Sequence, residues 1–154
     1  MEQPQGHKST SLSLRSATGA DAKRLFDWRN DAVTRLNFRN SEPVSWEDHI
    51  CWLSASLKRQ DRELLVAELG NDPVGTVRLD YLAAGCEMSW TVAPKYRCRG
   101  IGQEMVRLAI GYARASTLVA EVKPENASST RIVQHLGFTN TGSRNGLVKW
   151  QYSK

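Results

Sequence analysis

The sequence predicts an α/β (α+β) domain in which helices flank a mixed, largely antiparallel sheet. Apolar and polar residues alternate at 12–15 and 74–81, and 64–67 is a continuous apolar run. Both patterns are typical of β-strands. The connections that link 64–67, 74–81 and 86–92 are too short for parallel crossovers, so these strands form an antiparallel meander. A helical stretch separates 86–92 from 118–122, which favours one parallel pair joined by a right-handed crossover.

Two helices are predicted in the N-terminal half. Asp21 can cap a helix that runs through Asn30. Ser45, followed three residues later by Asp48, resembles a capping box and begins a second helix. The segment 36–43 between them is polar and irregular.

The C-terminal part is predicted to contain a helix followed by a hairpin. Asn126 can cap this last helix, and Gly137 ends it. Asn145-Gly146 is the strongest short hairpin signal in the sequence. It joins predicted strands at 138–143 and 147–152.

Length and composition indicate one globular domain. The chain has 154 residues, of which 40% are hydrophobic and 24% charged, enough to build a core. Residues 1–10 are polar and are predicted to be a flexible leader to a single domain at 11–154. No apolar run approaches the roughly 18 residues that span a bilayer, so no membrane contact is expected. Cys51, Cys86 and Cys98 are widely spaced, which predicts reduced thiols, no metal site and a cytoplasmic protein.

The charge favours an anionic partner. The net charge is +5, and Lys95, Arg97, Arg99 and Arg107 cluster around one glycine-containing segment. A phosphorylated cofactor would suit this cluster. Nucleic acid is not expected, because zinc-finger spacing and RNA-binding aromatic signatures are absent.

The most informative segment is Arg97-Cys98-Arg99-Gly100-Ile101-Gly102, between a strand and an amphipathic helix. Its two glycines allow close approach of a bulky group and unusual backbone angles. The N–H groups of the first helical turn would point into the loop, with the positive end of the helix dipole behind them. The segment is therefore a predicted anion site, strengthened by Arg97 and Arg99. A plain turn or helix cap is the alternative.

A second segment completes a family resemblance. Asn126-Ala127-Ser128-Ser129 leads to His135-Leu136-Gly137-Phe138, and both motifs occur in order within about 12–152. Together they resemble the Gcn5-related N-acetyltransferase (GNAT) superfamily. The resemblance implies the GNAT fold, whose parallel pair splays at the centre of the sheet, and acetyl-CoA as co-substrate.

The resemblance also implies which residues hold the cofactor. The pyrophosphate would lie on backbone N–H groups from Cys98 to Gln103, and the pantetheine arm on main-chain groups near Thr91 and Val92. Asn126 would reach the pantetheine from the other side, although a plain N-cap is its alternative role. The predicted cofactor-binding residues are Thr91, Val92, Arg97, Cys98, Arg99, Gly100, Ile101, Gly102, Gln103, Asn126 and Ser129.

The implied reaction is direct attack of an amine on the acetyl thioester. A lysine-like amine has a reference pKa near 10.4, so freeing it of its proton at pH 7 costs roughly 4–5 kcal/mol. Glu87 is the predicted general base, because strand alternation places it with Ser89 and Thr91 on one face of the strand that leads to the cofactor. A surface or ion-paired carboxylate is its alternative role.

The general acid is unassigned by the sequence. Many family members use a tyrosine on the last helix, seven residues after the asparagine, and this chain has Val133 there. Water, Tyr96 and Tyr112 stay open as donors to the departing thiolate, and so does departure without a proton.

The two N-terminal helices are expected to shape the acceptor pocket. Their residues resemble those of acetyltransferases that act on nucleotide-linked amino sugars, such as enzymes of pseudaminic acid pathways. Aromatic rings could stack on a base or sugar, and arginines could meet a diphosphate. His49 could hydrogen-bond a hydroxyl or act as a base, and is therefore a second catalytic candidate. The alternative role of the tryptophans is packing in the core. The predicted substrate-binding residues are Arg29, Asn30, Trp46, His49 and Trp52.

Three functions stay open at this point. The leading one is N-acetylation of a small-molecule amine, namely a nucleotide-linked amino sugar. The second is acetylation of a peptide or protein amine, or of an antibiotic. The third is a CoA-binding module without catalysis, which Val133 in place of the usual tyrosine keeps open. Assembly as a homodimer is also left open.

Overall fold

The computed structural model describes residues 11–154, so the leader predicted at 1–10 lies outside the described residues. The strands are β1 (Leu12–Ser16), β2 (Arg62–Leu69), β3 (Asp72–Leu82), β4 (Gly85–Val92), β5 (Thr117–Val122), β6 (Thr139–Arg144) and β7 (Leu147–Ser153). The α-helices are α1 (Ala22–Asn30), α2 (Ala32–Leu36), α3 (Trp46–Lys58), α4 (Ile101–Tyr112) and α5 (Ala127–His135). Within 11–154, no helix is long and apolar enough to cross a membrane.

One seven-stranded sheet runs through the molecule in the order β1-β2-β3-β4-β5-β7-β6. All neighbouring strands are antiparallel except β4 and β5, which are parallel. This arrangement confirms the predicted mixed sheet, because the short connections pair antiparallel strands and the crossover through α4 pairs parallel ones.

The parallel pair separates almost as soon as it forms. Only Cys86 with Leu118 and Glu87 with Val119 pair between the two strands. Beyond these residues, β4 continues to Val92 without pairing with β5. We call this opening the β4–β5 gap, and it confirms the splayed pair that the family resemblance implied.

The sheet has apolar cores on both faces. Strand β2 shows the division, since Leu65 packs in the core beneath α4 and α5 while Leu64 and Val66 pack beneath α1 and α3. The larger core contains Met105 and Val133, both fully buried. Burying such a side chain contributes about 1.5–3 kcal/mol, so this core fixes α4 beside the gap.

Two N-terminal details differ from the prediction. Helix α2 was not predicted, because five residues are too few to show a helical period. Asp21 occupies the predicted N-cap position of α1, but its side chain makes no capping bond to that helix. Thr18 caps the short 3-10 turn at Gly19–Asp21 instead.

The carboxylate of Asp21 is a buried electrostatic centre. Its side chain is 1% exposed, and it accepts hydrogen bonds from Nη1 and Nη2 of Arg15, both at 2.8 Å. It also accepts from the N–H of Thr18 at 2.9 Å and pairs with Arg24. The hydrogen bonds from Arg15 hold the pKa of Asp21 well below its ordinary 3.8.

Asp21→Ala should lower the free energy of unfolding by about 3–5 kcal/mol, because it leaves the cations of a largely buried ion pair uncompensated. Since the folded pKa is lowered, this stabilisation is present above pH 3.8 and is lost as the pH falls towards the folded value. Urea unfolding at neutral pH and in acid measures both effects. Asp27→Ala, at an exposed pair with Lys23, is the control and should cost less than about 1 kcal/mol. Equal losses in both variants would contradict this account.

Candidate active site

The glycine-containing segment forms the start of α4. Gly100 is the N-cap, with φ 75°, and Cys98 has φ 61°, so both residues are left-handed. The N–H of Glu104 donates to the carbonyl of Gly100 at 3.3 Å, which is the first bond of the helical ladder. The N–H groups at 101–103 precede that bond and therefore have no partner within the helix.

The first turn of α4 is packed tightly at the open end of the gap. A Cβ on Gly102 would lie 3.0 Å from Cδ1 of Ile132 and 3.3 Å from Cγ2 of Val92. The absence of a side chain at Gly102 thus lets the N-terminus of α4, with its unpaired N–H groups and positive dipole end, pack against β4 and α5. The first acidic side chain of α4, Glu104, is neutralised by Arg107 at 2.9 Å. These features fit a diphosphate group.

The arginines of the segment have different surroundings. Arg97 pairs with Asp31 and donates to Oγ1 of Thr34 at 2.8 Å, which fastens the loop to the start of α2. The guanidinium of Arg99 lies 5.7 Å from the ring centre of Tyr96. The predicted contacts of both arginines with a pyrophosphate stay predictions.

The strand and helix on either side of the gap carry the other predicted cofactor residues. Thr91 and Val92 pair with β3 through one edge, and their other edge faces the gap. Asn126 accepts the N–H of Ser129 at 3.2 Å, so the N-cap role is confirmed. A contact of Asn126 or Ser129 with the cofactor stays a prediction.

A row of polar side chains crosses β3 and β4 on the face opposite the larger core. Alternation places these residues on one face, and the short hairpin pairs them across the strands. The sequence analysis did not predict Thr76 and Arg78 as site residues. The alternation of polar and apolar residues in β3, paired with that of β4, would have indicated them. The pairs are Thr76 with Thr91, Arg78 with Ser89, and Asp80 with Glu87.

A cavity of about 380 Å³ lies between this polar face and helices α1 and α3. We call it the α1–α3 cavity, and it reaches Ser89 and Thr91 at the edge of the gap. It brings together three of the predicted substrate residues with three further aromatic residues, Trp28, Phe38 and Trp90. Its aromatic and basic lining includes Trp28, Arg29, Phe38, His49, Trp52 and Arg78.

Two predicted substrate residues do not line the α1–α3 cavity. Trp46 is 41% exposed and packs edge-to-face on Phe26, with ring centres 5.2 Å apart. The side-chain amide of Asn30 both donates to and accepts from the backbone of Val44 at 2.8 Å, so it braces the connection between α2 and α3.

His49 lies in an aromatic stack and is almost completely buried. It is 3% exposed, and its ring centre lies 6.0 Å from that of Trp52. Nε2 lies 2.9 Å from the carbonyl of Ala22, which joins α3 to α1. Burial lowers the pKa of His49 and so disfavours the charged form of the ring. A base role stays a prediction, and it would fall to Nδ1.

Glu87 lies where the gap begins, and it is ion-paired. Nη2 of Arg39 is 3.6 Å from Oε1 of Glu87 and also contacts Glu121 of β5. Arg39, on the connection between α2 and α3, thus bridges the two strands. The ion-paired alternative for Glu87 is confirmed as a contact, while its catalytic role stays a prediction. Glu121 was missed, although alternation in β5 places it opposite the buried Ala120 and Val122.

The position of the missing tyrosine is part of the core. Val133 is 0% exposed and packs in the larger core, so no proton donor stands there. Tyr112, at the end of α4, is 42% exposed. The general acid stays unassigned.

Comparison with known proteins decides the family. Residues 11–139 match the model of the acetyltransferase (GNAT) domain. The chain belongs to the GNAT acetyltransferase family. Residues 11–139 are therefore a GNAT acetyltransferase domain.

Individual GNAT relatives are distant in sequence and similar in fold. An uncharacterised protein from Methanocaldococcus jannaschii is 26% identical in an alignment of 144 residues that covers 87% of this chain and 29% of that protein. The chain therefore spans less than a third of the length of this relative. A ribosomal-protein-alanine N-acetyltransferase from Brucella melitensis is 28% identical, with TM-score 0.77 over 92% of this chain and 99% of that one. YncA from Salmonella typhimurium, a putative acetyltransferase solved with acetyl-CoA, is 24% identical, with TM-score 0.75 over 93% and 94%.

Acetyl-CoA should protect Cys98 of this GNAT domain from alkylation. Cys51 and Cys98 are exposed, whereas burial raises the pKa of the Cys86 thiol to about 11. Iodoacetamide should therefore modify the two exposed thiols and spare Cys86. With saturating acetyl-CoA, which has no free thiol, Cys98 should react at least about tenfold more slowly. Cys51 is the internal control and should react at an unchanged rate. Peptide mass spectrometry measures all three rates, and equal modification of Cys98 with and without ligand would contradict the placement.

Proposed function

We propose that residues 11–154 act as a single domain that acetylates the primary amine of a nucleotide-linked amino sugar. The amine would enter the α1–α3 cavity and attack the acetyl carbonyl within the β4–β5 gap. Backbone N–H groups at 101–103 would hold the cofactor's diphosphate.

The lining of the α1–α3 cavity carries this proposal. The rings of Trp28, Phe38 and Trp52 offer flat surfaces for a base or a sugar ring. Arg29 adds a guanidinium that suits a phosphate. The same cavity ends at Ser89, two residues along β4 from Glu87. A sugar amine at that end would approach the strand that carries the proposed base.

Glu87 would take the proton of the attacking amine, directly or through a water molecule. Arg39 contacts both Glu87 and Glu121. Its contact with Glu87 would therefore have to break before the carboxylate could approach the amine. The new amide bond forms as the thioester carbon–sulfur bond breaks, and the thiolate leaves.

Acetylation of a peptide N-terminus is the second candidate. The 28% identity to the ribosomal-protein-alanine N-acetyltransferase from Brucella melitensis favours it. A second cleft, of about 1130 Å³, lies between the α2–α3 connection and the β6–β7 hairpin. It is lined by Arg39 and Glu121, so a peptide lying there would also end near Glu87.

Release of CoA thiol from acetyl-CoA tests the proposal with a panel of acceptors. The panel contains nucleotide-linked amino sugars, peptides with N-terminal alanine, aminoglycosides and polyamines. We expect turnover of the amino sugars, with the acetyl group located on the amine by mass spectrometry. Turnover of peptides alone would replace the proposal with the second candidate. Tight acetyl-CoA binding without any turnover would favour a CoA-binding module.

A further inference from the structure

Arg29, which lines the α1–α3 cavity, and the nearby Arg35 have no carboxylate partner among residues 11–154. Nη2 of Arg29 donates to the carbonyl of Asn40 at 3.0 Å, and Nη1 of Arg35 lies 3.4 Å from the carbonyl of Ser41. Within the described residues, neither guanidinium comes within 4.0 Å of an acidic oxygen. Arg15 and Arg62, by contrast, both pair with aspartates.

Both arginines also keep a buried nitrogen without a partner. Nη1 of Arg29 and Nε of Arg35 are buried and have no hydrogen-bond acceptor in the described structure. An unsatisfied buried donor costs about 1–3 kcal/mol, and more when it is charged. The burial of Arg29 and the nearby charge of Arg35 lower the pKa of Arg29. Each guanidinium therefore disfavours the charge of the other, and a bound anion would relieve this repulsion.

Arg29 is held in place at the wall of the cavity. Its guanidinium carbon lies 4.1 Å from the ring centre of Phe38, which also lines the cavity. The other charged groups of the cavity are Arg78 and Asp48, and Arg78 is already paired with Asp80 at 3.0 Å. One carboxylate thus faces two guanidinium groups, and the excess charge lies at Arg29.

We propose that Arg29, supported by the charge of Arg35, binds an anionic group of the acceptor, a phosphate or a carboxylate. This inference rests on the proposed function for the position of the amine, but anion binding itself does not depend on catalysis. The acceptor would then be an amine that also carries an anionic group. With its amine at the Ser89 end of the cavity, the anionic group would lie near α1. Purely cationic acceptors such as polyamines would lack the group that Arg29 binds.

Titration calorimetry with the full chain tests the anion site without catalysis. Saturating CoA is present throughout, so that the start of α4 is already filled. The probes are inorganic pyrophosphate, uridine diphosphate and glutarate. We expect at least one of them to bind, and Arg29→Gln to weaken that binding by about tenfold or more. Arg59→Gln, which removes an exposed guanidinium paired with Asp61, should leave binding unchanged.

Arg29→Met keeps the apolar stem of the side chain and removes the charge. It should unfold at a denaturant concentration equal to or above that of the parent, because it removes a partly buried cation that has no carboxylate partner. A folded Arg29→Met protein that has lost the same affinity separates anion binding from a packing role.

The pattern of binding identifies the source of the charge. Binding of uridine diphosphate or pyrophosphate but not of glutarate indicates a phosphate, and the reverse indicates a carboxylate. Arg29-dependent binding without turnover of any amino sugar would refute the proposed function and leave this inference standing. The inference is overturned if no probe binds with CoA present, or if Arg29→Gln and Arg29→Met bind the probes as the parent does.

Discussion

Gly100→Asp should weaken acetyl-CoA binding by about a hundredfold, because it places a carboxylate beside the cofactor's diphosphate. The fold should tolerate the change. A Cβ at this position meets nothing within 4 Å, and aspartate accepts a φ of 75° better than most residues. The left-handed backbone costs some stability in the variant, and the favourable charge at the helix N-terminus offsets part of that cost, so a modest loss of stability should accompany the large loss of affinity.

Gly100→Asn is the matched control for this prediction. Asparagine has nearly the same shape as aspartate and the same tolerance of left-handed backbone, but it carries no charge. Titration calorimetry should give an affinity within about threefold of the parent for Asn, since only space is altered. If the Asp and Asn variants bind acetyl-CoA equally, the diphosphate does not lie at the start of α4.

Glu87→Gln should lower kcat by about a hundredfold or more, which is the contribution that general base catalysis commonly makes. The KM for acetyl-CoA should not change, because Glu87 lies on the acceptor side of the gap. The acidic limb of the pH profile of kcat should flatten. At a pH above the pKa of the acceptor amine, the amine is already neutral, so the variant should approach the rate of the parent.

Glu47→Gln is the control for that loss. Glu47 is exposed in the first turn of α3 and does not line the α1–α3 cavity, so its variant should retain the parent's pH profile. A uniform loss for Glu87→Gln at every pH, with no recovery in alkali, would instead indicate that Glu87 only fixes Arg39 and the strands.

The fold could be predicted where local patterns determine it. Asn145 and Gly146 have φ 53° and 76°, which is the left-handed pair that the hairpin signal requires. The short connections determined the antiparallel order, and the glycine segment marked the start of α4, whereas the gap beside it was implied only by the family resemblance. The hairpin, the antiparallel order and the start of α4 follow from a few neighbouring residues, which a single sequence displays.

The candidate site depends on contacts that the sequence does not display. Arg97 and Asp31 are 66 positions apart, so their ion pair could not be foreseen. The same holds for Arg39 between Glu87 and Glu121, because it requires the α2–α3 connection to cross the gap.

The helical spacing of the tryptophans in α3 could have shown that Trp46 does not line the cavity. Trp46 and Trp52 were both predicted to contact the acceptor, yet the six-residue spacing places them about 120° apart around the helix axis. The two rings therefore face in different directions. Trp52 lines the α1–α3 cavity, while Trp46 packs on Phe26 and is partly exposed.

A crystal structure of this domain with acetyl-CoA tests the central claim most directly. We predict that the diphosphate contacts the N–H groups at 101–103 and that the acetyl group lies in the β4–β5 gap, facing Glu87 and the end of the α1–α3 cavity at Ser89. A diphosphate bound away from the start of α4, or an acetyl group on the opposite face of the sheet from Glu87, would contradict the account.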